Sequence, residues 1–395
     1  MINPGQTPTA VNDIDLPLLF EKMKVICPAL TELEYYEFCY ALESSTPKNG
    51  WNSVDLKSQG EIERMVNSRE FYAGIQSKPR SGEKIILDNN IVQLSQMLLV
   101  GLTAGKYTEE WVKSHFFFDV RGFLFFHRTV YFTDEIISHL GGKPYRKFEQ
   151  KQQRFENFQG IGYKDFMEAN SEIEAAFMAS VIKLVNVKGT PLLMSLAGPT
   201  AAGKTEITSR LFSAFHASGR KITTIEMDNF LLDRDTRGEN PMGKMSTHFN
   251  LFTQALDDIL RGRKINIPRY DFITGTSSHD LEGNLRAGCT PLEIESADII
   301  FLEGNFPFHI QEVKDRIGIK VVYLTDDPIR LKRKWKRDMD YRKKYNQNFF
   351  LNRFFKTQYV RAVDCYQPQM RACDIVVDTT NASLWVTPKI AKCLN

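Results

Sequence analysis

The chain has 395 residues, enough for two domains or a stretched three. Its 42% apolar and 25% charged content lies near the soluble globular average and excludes disordered, collagen-like and fibrous classes. With 51 basic against 48 acidic residues the formal charge is +3, which demands neither nucleic acid nor an anionic membrane as partner. The six cysteines, Cys27, Cys39, Cys289, Cys365, Cys373 and Cys393, show no C-x-x-C pair and no metal-like spacing. They read as reduced thiols of a cytoplasmic protein.

Residues 1–13 are polar, with Pro4 and Pro8, and lack a basic-then-apolar signal pattern. Pro17–Lys24, Thr31–Leu42 and Glu61–Ile75 mix apolar and charged residues near helical spacing. The longest uncharged run, Asn89–Gly105, is interrupted by Asn90, Gln93, Ser95 and Gln96, too short and wet for a membrane span, so a buried amphipathic helix is expected. The aromatic stretch His115–Phe132 reads as core strands or a helix–strand pair, its phenylalanines filling a core rather than stacking on bases. Residues 1–145 carry no nameable chemistry and are expected to form a mainly helical or α+β N-terminal domain. Residues 146–187, charged and poor in glycine, read as a helical connector.

From residue 188 to 395 the character changes. Short apolar runs recur at Leu192–Ala197, Ile222–Glu226, Ile299–Leu302, Val321–Leu324 and Ile375–Val377, and helix-like stretches at Thr205–Ser218, Leu251–Leu260 and Ile329–Tyr341 separate several of them. Alternating strand and helix implies a doubly wound parallel sheet, with ligands at the carboxyl ends of its strands.

The first of these strands runs into Gly198-Pro-Thr200-Ala201-Ala202-Gly203-Lys204-Thr205, the pattern G-x-x-x-x-G-K-[ST]. Its glycines let backbone N–H groups turn inward onto phosphate oxygens. Lys204 adds charge at the β and γ phosphates, and the Thr205 hydroxyl can ligate Mg²⁺. The following helix presents its positive end to the same anion. Asp228, after the second strand, is placed to take a proton from an attacking hydroxyl or to hold metal-bound water. Glu303, closing Ile299-Ile-Phe-Leu, is placed to hold Mg²⁺ through water. Between Pro328 and Arg361 there are twelve basic residues against two acidic. Arg333 and Arg337, four apart on one helical face, could close as a lid over a triphosphate.

Taken in order, these segments resemble the uridine kinase and phosphoribulokinase family over about Leu192–Asp378. The resemblance also rests on Ile267-Pro-Arg-Tyr270-Asp271-Phe272 and on Cys373-Asp374-Ile-Val-Val. It implies a P-loop kinase fold, ATP with Mg²⁺, and phosphoryl transfer to a hydroxyl of a small molecule such as a nucleoside, sugar or related polyol. Asp228 would be the base, Lys204 and Arg337 further catalytic groups, and Tyr270 and Gln358 acceptor contacts. Gly198 to Thr205, with Arg333, would bind nucleotide, and Thr205 and Glu303 would hold the metal. The acceptor positions depart from uridine kinases, with Leu231 for a tyrosine, Thr247 for an acid and Gly275 for a histidine. The segments around Asp228 and Phe272 are closer to divergent bacterial uridine kinase-like proteins with an extra N-terminal domain. Two other readings stay open: a non-catalytic ATP-binding regulatory module, and a tRNA dimethylallyltransferase-like enzyme, whose loop is similar. Homo-oligomerisation is open as well.

Overall fold

A strand buried on both faces reads as a near-continuous apolar run, and Leu192–Ala197 (β4), numbered in chain order, is buried at all six positions, its one polar side chain, Ser195, donating to the Leu302 carbonyl. In the computed structural model, residues 14–27, 30, 34–42, 45–68, 70–71, 89–119, 124–148, 163–237, 244–325, 330, 333–334, 337 and 365–395 are described. Two units result, the first running to Thr129 and the second beginning at Val130.

The first unit contains helices Leu16–Ile26 (α1), Tyr35–Leu42 (α2), Gln59–Val66 (α3), Asn89–Thr103 (α4) and Glu109–His115 (α5). An antiparallel hairpin, Phe116–Asp119 (β1) and Leu124–His127 (β2), follows. The Asp15 carboxylate caps α1 by accepting from the Leu18 amide, and Leu19, Phe20, Met23 and Ile26 form its buried stripe. The uncharged run is the buried helix α4, and Phe116, Phe117, Phe118 and Phe125 lie in the core.

In the second unit all five expected strands form. Ile222–Glu226 (β5), Ile299–Gly304 (β10), Ile319–Leu324 (β11) and Ile375–Asp378 (β12) join β4 in a parallel array. Ser383–Val386 (β13) and Arg146–Lys147 (β3) add two antiparallel strands, giving the order β3-β13-β12-β11-β4-β10-β5. The period of two sorts each central strand between two cores. Leu192, Met194 and Leu196 join Ile299, Phe301, Ile319, Val321, Ile375 and Val377 on one face. There they meet Tyr163–Lys188 (α7), Lys204–Ala217 (α8) and Pro388–Leu394 (α10). Leu193, Ala197, Ile300, Leu302, Val322 and Val376 face the other way, towards Asp134–His139 (α6) and Phe249–Leu260 (α9).

That packing moves the expected boundary at residue 145. Ile136 of α6 and Leu140, the residue that caps it, belong to the second of these cores, Phe148 to the first, and β3 is an edge of the sheet. Helix α7 likewise lies against the sheet rather than linking two domains, with Ile173, Phe177, Val181, Leu184 and Val185 buried. Two short antiparallel pairs flank the sheet, Ile265–Ile267 (β6) with Leu292–Ile294 (β9), and Tyr270–Asp271 (β7) with Thr276–Ser277 (β8). No helix among the described residues is long and apolar enough to cross a membrane.

Candidate active site

The loop after β4 takes backbone angles that ordinary side chains resist. Gly198, Ala201 and Gly203 have φ of +153°, +60° and +104°, and the alanine holds its left-handed geometry at a cost of about 1–2 kcal/mol. A Cβ at Gly198 would lie 2.2 Å from the Tyr323 carbonyl oxygen, so the loop leans directly on the end of β11. The Thr325 hydroxyl, just beyond β11, donates to the Ala202 carbonyl at 2.8 Å. The Arg330 guanidinium, fully buried, donates to the carbonyls of Thr325 (2.9 Å) and Thr200 (3.3 Å) and to the Tyr131 hydroxyl (3.2 Å).

Lys204 opens α8 and is 7% exposed, its ammonium donating to the carbonyls of Gly198 (3.0 Å) and Pro199 (3.1 Å). Burial pulls its pKa down, as do Arg337 and Arg330, while Glu303 and Asp228 oppose the shift. The Thr205 hydroxyl donates to Glu303 Oε1 at 2.6 Å across the β4–β10 pair. Glu303 Oε2 is buried with no partner among the described residues. Burial raises the Glu303 carboxyl above the usual range, against the pull of Lys204 and the Thr205 hydrogen bond, and Asp228 raises it further. Asp228 sits in the turn Met227–Phe230 after β5. The loop, Lys204, Glu303 and Asp228 therefore share one electrostatic site at the carboxyl ends of β4, β10 and β5.

The arginine segment reaches the same place. Arg337 Nη2 donates to the Thr200 hydroxyl at 3.0 Å, and Arg333 Nη1 lies 3.5 Å from where a Gly203 Cβ would stand. On the other side the Tyr270 amide donates to Asn229 Oδ1 at 3.3 Å, tying β7 to the Asp228 turn. Tyr270 is buried, and its hydroxyl accepts from Arg237, whose guanidinium stands 5.2 Å over the ring. Asp233 anchors the intervening segment by accepting from the Ser277 amide (2.7 Å) and from both Arg286 Nη atoms. Gln358 lies outside the described residues.

Sequence reasoning missed three contributors. Glu226 stands directly opposite Glu303 in the β5–β10 register and feels both Glu303 and Asp228; its place two residues before Asp228 was the available signal. Arg330 carries no signal that separates it from its basic neighbours, because its partners Thr200 and Tyr131 lie 130 and 199 residues away in the chain. Arg237 carries no local signal, since its partner Tyr270 comes from another hairpin.

The class defined by this sheet, loop and carboxylate pair is the phosphate-loop kinase. The sequence model of the "Phosphoribulokinase / Uridine kinase family" matches residues 193–384. Those residues are a domain of that family, and the protein is a small-molecule kinase. Among curated proteins, the chain is similar to a uridine kinase of Streptococcus agalactiae, 26% identical over 220 residues, covering 52% of this chain and 97% of the relative. It is also similar to uridine-cytidine kinase A of Dictyostelium discoideum, 28% identical over 153 residues, 38% of this chain and 28% of that protein. Solved structures similar to it include a possible uridine kinase from Bacillus stearothermophilus (16% identity, TM-score 0.36, 52% of this chain and 100% of that one). Another is D-glycerate 3-kinase from Cryptococcus neoformans (14% identity, TM-score 0.36, 56% and 98%).

Kinases of the uridine kinase family use ATP with Mg²⁺. The residues present fit them. A hydroxyl beside a carboxylate with a buried, unpartnered oxygen is a hard-oxygen donor set of the kind Mg²⁺ takes. The loop at the start of α8 with a buried ammonium is an anion cradle.

Proposed function

We propose that the protein moves the γ-phosphoryl group of ATP to a hydroxyl of a small molecule, a nucleoside, sugar or related polyol. The observation that carries this reading is the meeting of Lys204, Glu303 and Asp228 at adjoining strand ends, with the Thr205 hydroxyl on Glu303.

In this mechanism the loop amides and Lys204 hold the nucleotide's phosphates, and Thr205 with Glu303 would hold Mg²⁺. When bound, the metal offsets charge on the phosphate oxygens. Asp228 orients the acceptor hydroxyl and takes its proton as the new P–O bond forms and ADP leaves. Arg337 and Arg333 neutralise charge growing on the transferred group. Tyr270, tied to the Asp228 turn, borders the acceptor, and its hydroxyl is already committed to Arg237. With Leu231, Thr247 and Gly275 at the other acceptor positions, uridine lacks the partners that a nucleoside pocket supplies. This favours a different alcohol.

The test is a panel of nucleosides, sugars, sugar phosphates and other polyols incubated with protein, ATP and Mg²⁺, with products read by mass. On the acceptor so found, Asp228→Asn should lower kcat by about 10²–10⁴-fold while ATP affinity stays within twofold. Normal turnover in that variant would remove Asp228 from the mechanism.

A further inference from the structure

Helix α7 lies outside the matched family segment, yet it places a carboxylate beneath the phosphate loop. Glu174 adjoins the apolar stripe of α7 and is only 6% exposed. A carboxylate so buried is costly unless hydrogen-bonded. It accepts from the Tyr323 hydroxyl at 3.0 Å and from Arg210 of α8, which also pairs with Glu206 one turn earlier.

Tyr323 is where the loop rests. Its carbonyl oxygen is 2.2 Å from a Cβ built at Gly198, and its ring edge is 3.6 Å from one built at Gly203. Arg333 Nη1 lies 3.5 Å from that second point. Both end glycines of the loop, and a lid arginine, thus bear on a single tyrosine. The ring is almost wholly buried, and burial raises its phenol pKa, so it remains a hydrogen-bond donor. That hydroxyl donates to Glu174 Oε1.

We propose that Glu174 is a positioning residue for the nucleotide site: by holding the Tyr323 hydroxyl it fixes the surface against which the phosphate loop is moulded. The inference rests on the loop binding nucleotide, as argued above. A helix preceding the family domain therefore forms part of the nucleotide site, acting through Tyr323 without touching phosphate.

The experiment measures binding of the non-hydrolysable imido analogue of ATP, with Mg²⁺, by calorimetry, so it needs no acceptor. Tyr323→Phe keeps the ring and removes the hydroxyl, and should weaken binding about tenfold, as expected for loss of a buried hydrogen bond to a charged group. Glu174→Ala should match it, and the double variant should be no worse than either single one. Glu174→Gln retains an acceptor for Tyr323 while losing the charge facing Arg210, and should bind within twofold of the unaltered protein. Unchanged affinity in Tyr323→Phe would overturn the proposal. So would Glu174→Gln binding as poorly as Glu174→Ala, because the Arg210 ion pair would then be the operative contact. Should Glu174→Ala fail to fold, Tyr323→Phe and Glu174→Gln decide between them. Absence of analogue binding by the unaltered protein would defeat the nucleotide reading itself, a result distinct from any of these.

Discussion

Replacing Gly198 by alanine tests how tightly the phosphate loop is seated. The added methyl would lie 2.2 Å from the Tyr323 carbonyl oxygen, 1.2 Å short of the 3.4 Å at which ordinary contact begins. The obstacle is backbone in β11, paired in parallel with β4 and β12, so it cannot rotate away as a side chain could. The loop must shift by about 1 Å, and overpacking of this kind costs about 1–3 kcal/mol. The altered residue must also hold a φ of +153°, outside the range L side chains favour. A 1 Å misplacement at a reacting site lowers rate by about 10²-fold. Gly198→Ala is therefore expected to lose about 10²-fold in kcat/KM for ATP while its melting temperature falls by about 2–12 °C, since 1 kcal/mol corresponds to about 2–4 °C in a unit of this size. Steady-state kinetics beside thermal unfolding followed by circular dichroism gives both numbers. Near-normal kcat/KM would mean that the loop tolerates displacement and that its contact with Tyr323 is incidental.

Two further expectations concern the metal side and the acceptor side. Glu303→Gln keeps a hydrogen-bond acceptor for Thr205 but removes the charge, so the Mg²⁺ concentration giving half-maximal rate should rise about 10–100-fold, as for outer-sphere metal partners; a titration of rate against Mg²⁺ that does not move would refute a metal role. For Asp233, burial works against ionisation, yet the Arg286 and Ser277 hydrogen bonds hold its carboxyl below the ordinary value of 3.8. A depressed folded pKa contributes stability that is present above the unfolded value and lost as pH falls through the folded one. Asp233→Asn should accordingly unfold at lower urea than the unaltered protein at pH 7, with the gap narrowing below about pH 4; a gap independent of pH would assign the loss to packing instead.

The catalytic half was legible because its signals are local. The loop Gly198–Thr205 needs contiguous glycines, a lysine and a hydroxyl, so one octet carries it. The central parallel strands stood out because burial on both faces leaves few polar positions to blur the run, whereas the edge strand β5, with Thr223, Thr224 and Glu226, is only partly buried. The short strands β3, β7 and β8 were invisible, two residues each being too few to establish a period. The boundary misread at 145 has a similar origin: α6 is amphipathic wherever it packs, and only its partners assign Ile136 and Leu140 to the sheet.

What the chain's order of residues determined alone was a cradle for phosphate followed by strand-end carboxylates, since backbone turns and continuous apolar runs are properties of neighbours. Tertiary structure decided which of those groups meet. Glu303 reaches Thr205 because β10 lies beside β4, Glu226 faces Glu303 because β5 takes the next edge, and Glu174 reaches Tyr323 because α7 covers that face. Strand order and helix docking follow from burying two large apolar faces at once, a global condition that no window of sequence contains.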